Sequence, residues 1–123
     1  MFSIWSLFGP SRERQRFDLA LRGHGLHPQL LSDAVKLTAL RLIGPKPDAP
    51  AVDEAGALVA YCLVGPEDFT EASGAAAAAE QERRLALALE APQGTDARLI
   101  MLCLRSGLAE ASVAARFELE ESS

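Results

Sequence analysis

The chain is short of most of the residues that chemistry is built from. Two histidines and two cysteines in 123 residues leave few sets of metal ligands or nucleophile–base pairs. Nothing resembling "GxSxG" occurs, and "GHG" at 23–25 offers two glycines with no strand ahead of it. A strained nucleophile turn and a glycine-rich phosphate loop are therefore both missing. Aromatics are only 6% of the residues, and no stretch is long enough and free enough of charge to cross a bilayer. The opening "MFSIWSLFGP" does not fit a secretory signal either. No Lys or Arg precedes its apolar residues, two serines interrupt them and "GPSRER" follows, so a cytoplasmic location is expected.

What the chain has in excess is alanine and leucine, 22 and 19 residues. These are strong helix formers, and β-branched residues are few, so composition leans all-helical. A chain of this length is one domain and buries roughly two-thirds of its unfolded surface without a metal or a disulfide. The expected fold is an all-α, single-domain bundle of five to seven short helices over 11–123, behind an apolar aromatic segment at 1–10. Helices are expected at about 11–22, at 28–43 with Pro28 early in the first turn, and at 53–64. "EDFTEASGAAAAAEQERRLALALEA" reads as one long helix or two hinged at Gly74. Thr95 then caps "DARLIMLCLRSG", and a last helix follows. Asp18–Arg22 and Glu80–Arg84 stand at supportive i,i+4 spacing. "AVKLTALRLIGP" and "AGALVAYCLVGP" echo one another, as any two core helices closed by Gly-Pro would.

Cys62 and Cys103 lie in the apolar runs "LVAYCLVG" and "LIMLCLR" and are expected to be buried free thiols. Net charge is −5, unevenly spread. Residues 1–46 carry seven basic side chains against three acidic, and 47–123 carry five against fourteen. Such a chain is dipolar rather than built for nucleic acid. His24 and His27 in "HGLH" have the spacing of two metal ligands, but a site needs a third. Exposed loop histidines are expected, with no cofactor, and a helical protein binding a metal or small molecule through His24 and His27 is the minor alternative.

"LRSGLAEASVAARFELEESS" resembles the first half of a helix-turn-helix motif. The resemblance implies a DNA-binding recognition helix next, yet only "EESS" remains and the segment is acidic. Phosphate contacts need Lys and Arg. A packing helix without a nucleic-acid partner is expected, with a degenerate helix-turn-helix binder as the alternative.

That leaves the aromatics. Three of seven stand in the first eight residues. Wound at 100° per residue, Phe2, Ile4, Trp5, Leu7 and Phe8 cover a broad arc, with Ser3 and Ser6 in the remainder. Burying these five side chains contributes roughly 8–12 kcal/mol gross, against about 8–16 kcal/mol for ordering the backbone. The segment therefore needs support from its own fold or from a partner. Arg12, Arg14, Arg16 and Arg22 each add about 1 kcal/mol on an anionic leaflet, but Glu13 and Asp18 subtract from this, so membrane contact is weak. The expectation is a non-catalytic protein-interaction module with Phe2, Ile4, Trp5, Leu7, Phe8, Arg12 and Arg16 as its contact surface. Its partner is another protein or a second copy, with no small-molecule substrate.

Overall fold

The computed structural model describes residues 12–122, with side chains through Phe117. Six helices follow one another: α1 Arg12–Gly23, α2 Asp33–Leu42, α3 Ala49–Ser73, α4 Ala75–Glu90, α5 Thr95–Ser106 and α6 Ala111–Ser122. A single 3-10 turn, Pro28–Leu30, sits between α1 and α2, and no strand occurs among the described residues. The fold is the all-α bundle expected. No helix among these residues is long and apolar enough to cross a membrane.

The bundle is organised around α3, which touches each of the other five helices. Residues 55–62 of α3 are all buried, so this stretch is apolar on every side and must be enclosed. Its small residues allow close approach. Gly56 faces Ala20 of α1 so tightly that an added Cβ would lie 2.6 Å from the Ala20 Cβ. Phe17 and Leu21 of α1, Leu85 of α4, Leu99 and Ile100 of α5, and Val113 of α6 close the core around it.

Each helix begins and ends for a local reason. α1 closes with Gly25 at φ 87°, where Leu26 N–H reaches the Leu21 carbonyl and Gly25 N–H the Arg22 carbonyl. This is the Schellman pattern, and the buried Leu26 supplies its apolar contact. The glycines of "GHG" thus end a helix. Ser32 caps α2 by accepting from Val35 N–H, and Asp48 caps α3 by accepting from Ala51 N–H.

Two boundaries differ from expectation. The helix expected at 28–43 is divided, because Ser32 is a stronger start signal than Pro28. Leu31 is extended and buried, leaving Pro28–Leu30 as an isolated turn. The helix expected from 53 begins at Ala49, since Asp48 with Pro50 in the first turn starts it a turn earlier. At α5 the capping position is Gly94 and Thr95 is the first helical residue.

α3 is broken at Gly65, where φ 90° and ψ 169° lie outside the helical region, and it resumes at Pro66. Pro66 has no N–H, so the carbonyl of Cys62 loses its i+4 donor. Glu110 N–H, from the turn between α5 and α6, takes the place at 2.8 Å. The Glu110 side chain crosses Gly65 and caps α6, accepting from the Ser112 N–H at 2.9 Å and from the Ser112 hydroxyl. A Cβ at Gly65 would meet Glu110 Cγ at 2.6 Å, so glycine is required there by backbone and by neighbour alike.

Candidate functional site

The polar side chains must be sorted first, because most are used in holding helices together. Arg84 of α4 forms a bidentate pair with Asp96 of α5, at 2.9 Å for each bond. It also donates to the Glu54 carbonyl of α3 at 2.8 Å and to buried Gln81 at 3.1 Å. Tyr61 of α3 donates its hydroxyl to Glu82 of α4, and Arg116 of α6 donates to both Glu82 oxygens at 2.7 and 2.8 Å. Burial pushes the Glu82 carboxyl up, but the hydrogen bonds from Tyr61 and Arg116 outweigh it and hold the group below the usual range. Burial, and then Glu82 itself, push the Tyr61 phenol upward.

Lys36 of α2 is buried and lies 3.0 Å from Asp18 of α1. The approach is off the hydrogen-bond direction, so this contact is an ion pair only. Arg14 pairs with Asp33 on the same seam. These partners replace the expected ones. Asp18 takes Lys36 rather than Arg22, and Glu80 takes Arg83, one residue before Arg84, which is held by Asp96.

The histidines are occupied as well. His24 is hydrogen-bonded through Nδ1 to Ser73 Oγ at 2.6 Å, and its ring stacks on Phe69 at 4.9 Å. Burial lowers its pKa, opposed in part by the Asp53 charge. His27 accepts from Gln29 N–H and caps the 3-10 turn. The two do different local work, and no group of three His, Cys, Asp or Glu able to hold a metal occurs among the described residues. Ser73 and His24 make a nucleophile–base contact across 49 positions of sequence. No described hydrogen bond orients the other ring nitrogen, as a working triad requires. The contact ties the end of α3 to the turn after α1.

One surface not consumed in this way lies at the base of α1. Two grooves meet there, sharing Glu13 and Pro47. The first, about 380 Å³, runs between α1 and the end of α2 past Leu37, Leu40, Arg41 and Pro45. The second, about 540 Å³, runs between α1 and the start of α3 past Arg12, Gln15, Arg16, Leu19 and Val52. Leu19 is 67% exposed and Leu37 42%. Apolar walls with a charged rim suit the docking of a side chain or a helix face better than chemistry.

Of the seven residues expected to form the contact surface, Phe2, Ile4, Trp5, Leu7 and Phe8 lie outside the described residues. Arg12 is exposed on the wall of the second groove. Arg16 lines the same groove but is held by Asp53 in a bidentate pair at 2.9 and 2.7 Å, both side chains about half exposed. Asp53 raises the Arg16 pKa through that hydrogen bond and its charge. Glu13, Leu19, Leu37 and Pro47 were not indicated by sequence. A leucine beside charged residues, as in "FDLALRG", is the one local signal that could have found Leu19.

Comparison with known proteins finds no matching family model, no similar curated protein and no matching solved structure. What the surface does rests on its own geometry.

Proposed function

We propose that the protein is a non-catalytic protein-interaction module that docks another protein, or a second copy of itself, at the base of α1. The contact surface is the aromatic segment Phe2, Ile4, Trp5, Leu7 and Phe8 together with Arg12 and the two grooves that meet beside α1. One observation carries the reading. The apolar grooves flank the start of α1, the helix that the aromatic first eight residues precede in sequence. The distribution of aromatics supports it. Phe17, Tyr61, Phe69 and Phe117 are all buried in the helical core, and the other three stand in the opening segment. The polar side chains support it too, since the titratable clusters described above join helices to one another. The same reading places the protein in the cytoplasm, a compartment that suits its two buried, unpaired thiols.

The test removes residues 1–9 and, separately, introduces Leu19→Asp and Leu37→Asp. Each change abolishes dimerisation in light scattering, or binding of the captured partner, while helical circular dichroism and melting cooperativity persist. Loss of the cooperative melt on deleting 1–9 makes the segment part of the core and defeats the reading. Unchanged association in all three variants defeats it as well.

A further inference from the structure

We propose that the grooves at the base of α1 take a second copy of this chain, seated by the acidic stretch 66–73 at the end of its α3, so that copies join head to tail. The inference rests on the docking reading above and names its partner.

Two surfaces of opposite charge carry it. At the grooves, Arg12 and Arg41 are exposed on the walls, and Lys46 is exposed between the wall residues Pro45 and Pro47. None of the three is held in an ion pair among the described residues, and Glu13 is the one acid on these walls. Arg14 and Arg16 nearby are neutralised by Asp33 and Asp53. This end thus joins exposed Leu19 and Leu37 to an excess of positive charge.

The other surface stands where α3 resumes after Gly65. Half-buried Val64 and Pro66 line a hollow of about 450 Å³ whose rim includes Glu67 and Asp68. Glu71 is exposed one turn further on, and none of these three acids is ion-paired among the described residues. Against them stands Arg22, in the last turn of α1. Here an apolar centre is joined to an excess of negative charge.

One copy cannot bring its own two surfaces together. α1 starts on the groove wall at Arg12, and the turn that closes it carries His24, hydrogen-bonded to Ser73 and stacked on Phe69. The twelve residues of α1 span about 18 Å, roughly two Debye lengths at physiological salt. The fold holds the opposite charges apart and leaves each to a partner. A second copy offers the matching sign around an apolar centre at either end. Because the two surfaces differ, each added copy leaves one of each exposed, so the assembly grows as an open chain or closes as a ring.

The experiment is sedimentation velocity on the full chain over a concentration series. It is run in about 0.1 M and about 1 M sodium chloride, where charges are screened beyond about 10 Å and about 3 Å. At the lower salt the mean mass rises past the dimer with concentration, and the higher salt weakens association about tenfold. Arg41→Gln with Lys46→Gln, and Glu67→Gln with Glu71→Gln, each weaken it by about the same factor. Helical circular dichroism is unchanged in both, since all four side chains are exposed. An equimolar mixture of the two variants regains 1:1 pairs and nothing larger, because each pair keeps one intact groove and one intact acidic stretch on different copies. A wild type that stays monomeric overturns the proposal. So does association that the acidic-stretch variant leaves unchanged, which would set two grooves face to face or put the opening segment in them. Association that resists salt and both charge variants but is lost in Leu19→Asp and Leu37→Asp overturns this proposal alone and leaves the docking reading standing.

Discussion

Gly56→Ala sets two effects of similar size against each other, and the structure decides which wins. Alanine in a helix interior is favoured over glycine by about 1 kcal/mol. Against this, the new Cβ would stand 2.6 Å from the Ala20 Cβ, closer than two carbons can approach. The remaining neighbours, Ala20 Cα and the Phe17 carbonyl, are at an ordinary 3.7 Å, so the clash is with one methyl group. α1 and α3 must separate by about 1 Å along the most extensive contact in the bundle, and overpacking of this kind costs about 1–3 kcal/mol. The expected net loss is about 0–2 kcal/mol. Ala20→Gly alone loses about 1 kcal/mol of helix propensity and roughly 0.8 kcal/mol for the buried methyl. Made together, the two substitutions exchange one methyl group across the crossing. Propensity then cancels, the clash disappears, and stability returns to within about 1 kcal/mol of wild type. Urea unfolding of all four proteins gives the coupling energy, expected near 2 kcal/mol. Additive losses in the double variant would refute the account of this crossing.

Gly65→Ala is expected to lose more than about 2 kcal/mol, because the left-handed backbone and the Glu110 side chain both oppose a Cβ; thermal melting measures it. Arg84→Ala leaves Asp96 and the Glu54 carbonyl without their shared donor and is expected to lose about 2 kcal/mol, reduced from a fully buried pair because Asp96 is 36% exposed. Arg84→Lys restores only part of this, since an ammonium cannot span the bidentate contact. From about pH 8 downward the pH dependence has one sign. His24 is held below 6.5 by burial, so the unfolded chain protonates first, and stability falls as pH drops through that value and levels off below the folded one. Glu82 and Glu110 lie below 4.5, so their contribution holds above that value and is lost as pH falls through their folded range. A melting series from about pH 8 to about pH 3 therefore descends in two steps, and His24→Gln removes the upper one.

Helix identity was legible because it depends on composition and on punctuation by nearby residues. Gly25, Gly65-Pro66, Gly74 and Gly107 all break or end helices as glycine and proline should. The two boundaries that differ do so for equally local reasons, Ser32 and Asp48 each being a helix cap that the apolar spacing alone does not mark. Charge pairing was less legible. The i,i+4 spacing offers Asp18 and Arg84 a partner on their own helices, but both are turned towards a neighbouring helix. A half-buried carboxylate or guanidinium gains more from a fixed partner there than from a solvated one a turn away. Nothing local in "HGLH" announces that His24 will meet Ser73, 49 positions later.

The grooves were illegible for a related reason. Their walls come from Glu13, Leu37–Pro47 and Val52, and only the packing of α1 against both α2 and α3 assembles them. That packing depends in turn on alanine and glycine at the α1–α3 crossing, which lets two helices meet without large side chains between them. A core built from small residues brings its helices close and fills its centre with few aromatics. Larger apolar groups such as Leu19 then remain on the outside, and the opening segment carries five more large apolar side chains that cannot order it without support. The same composition that makes the bundle helical thus also produces the surface to which we assign its function.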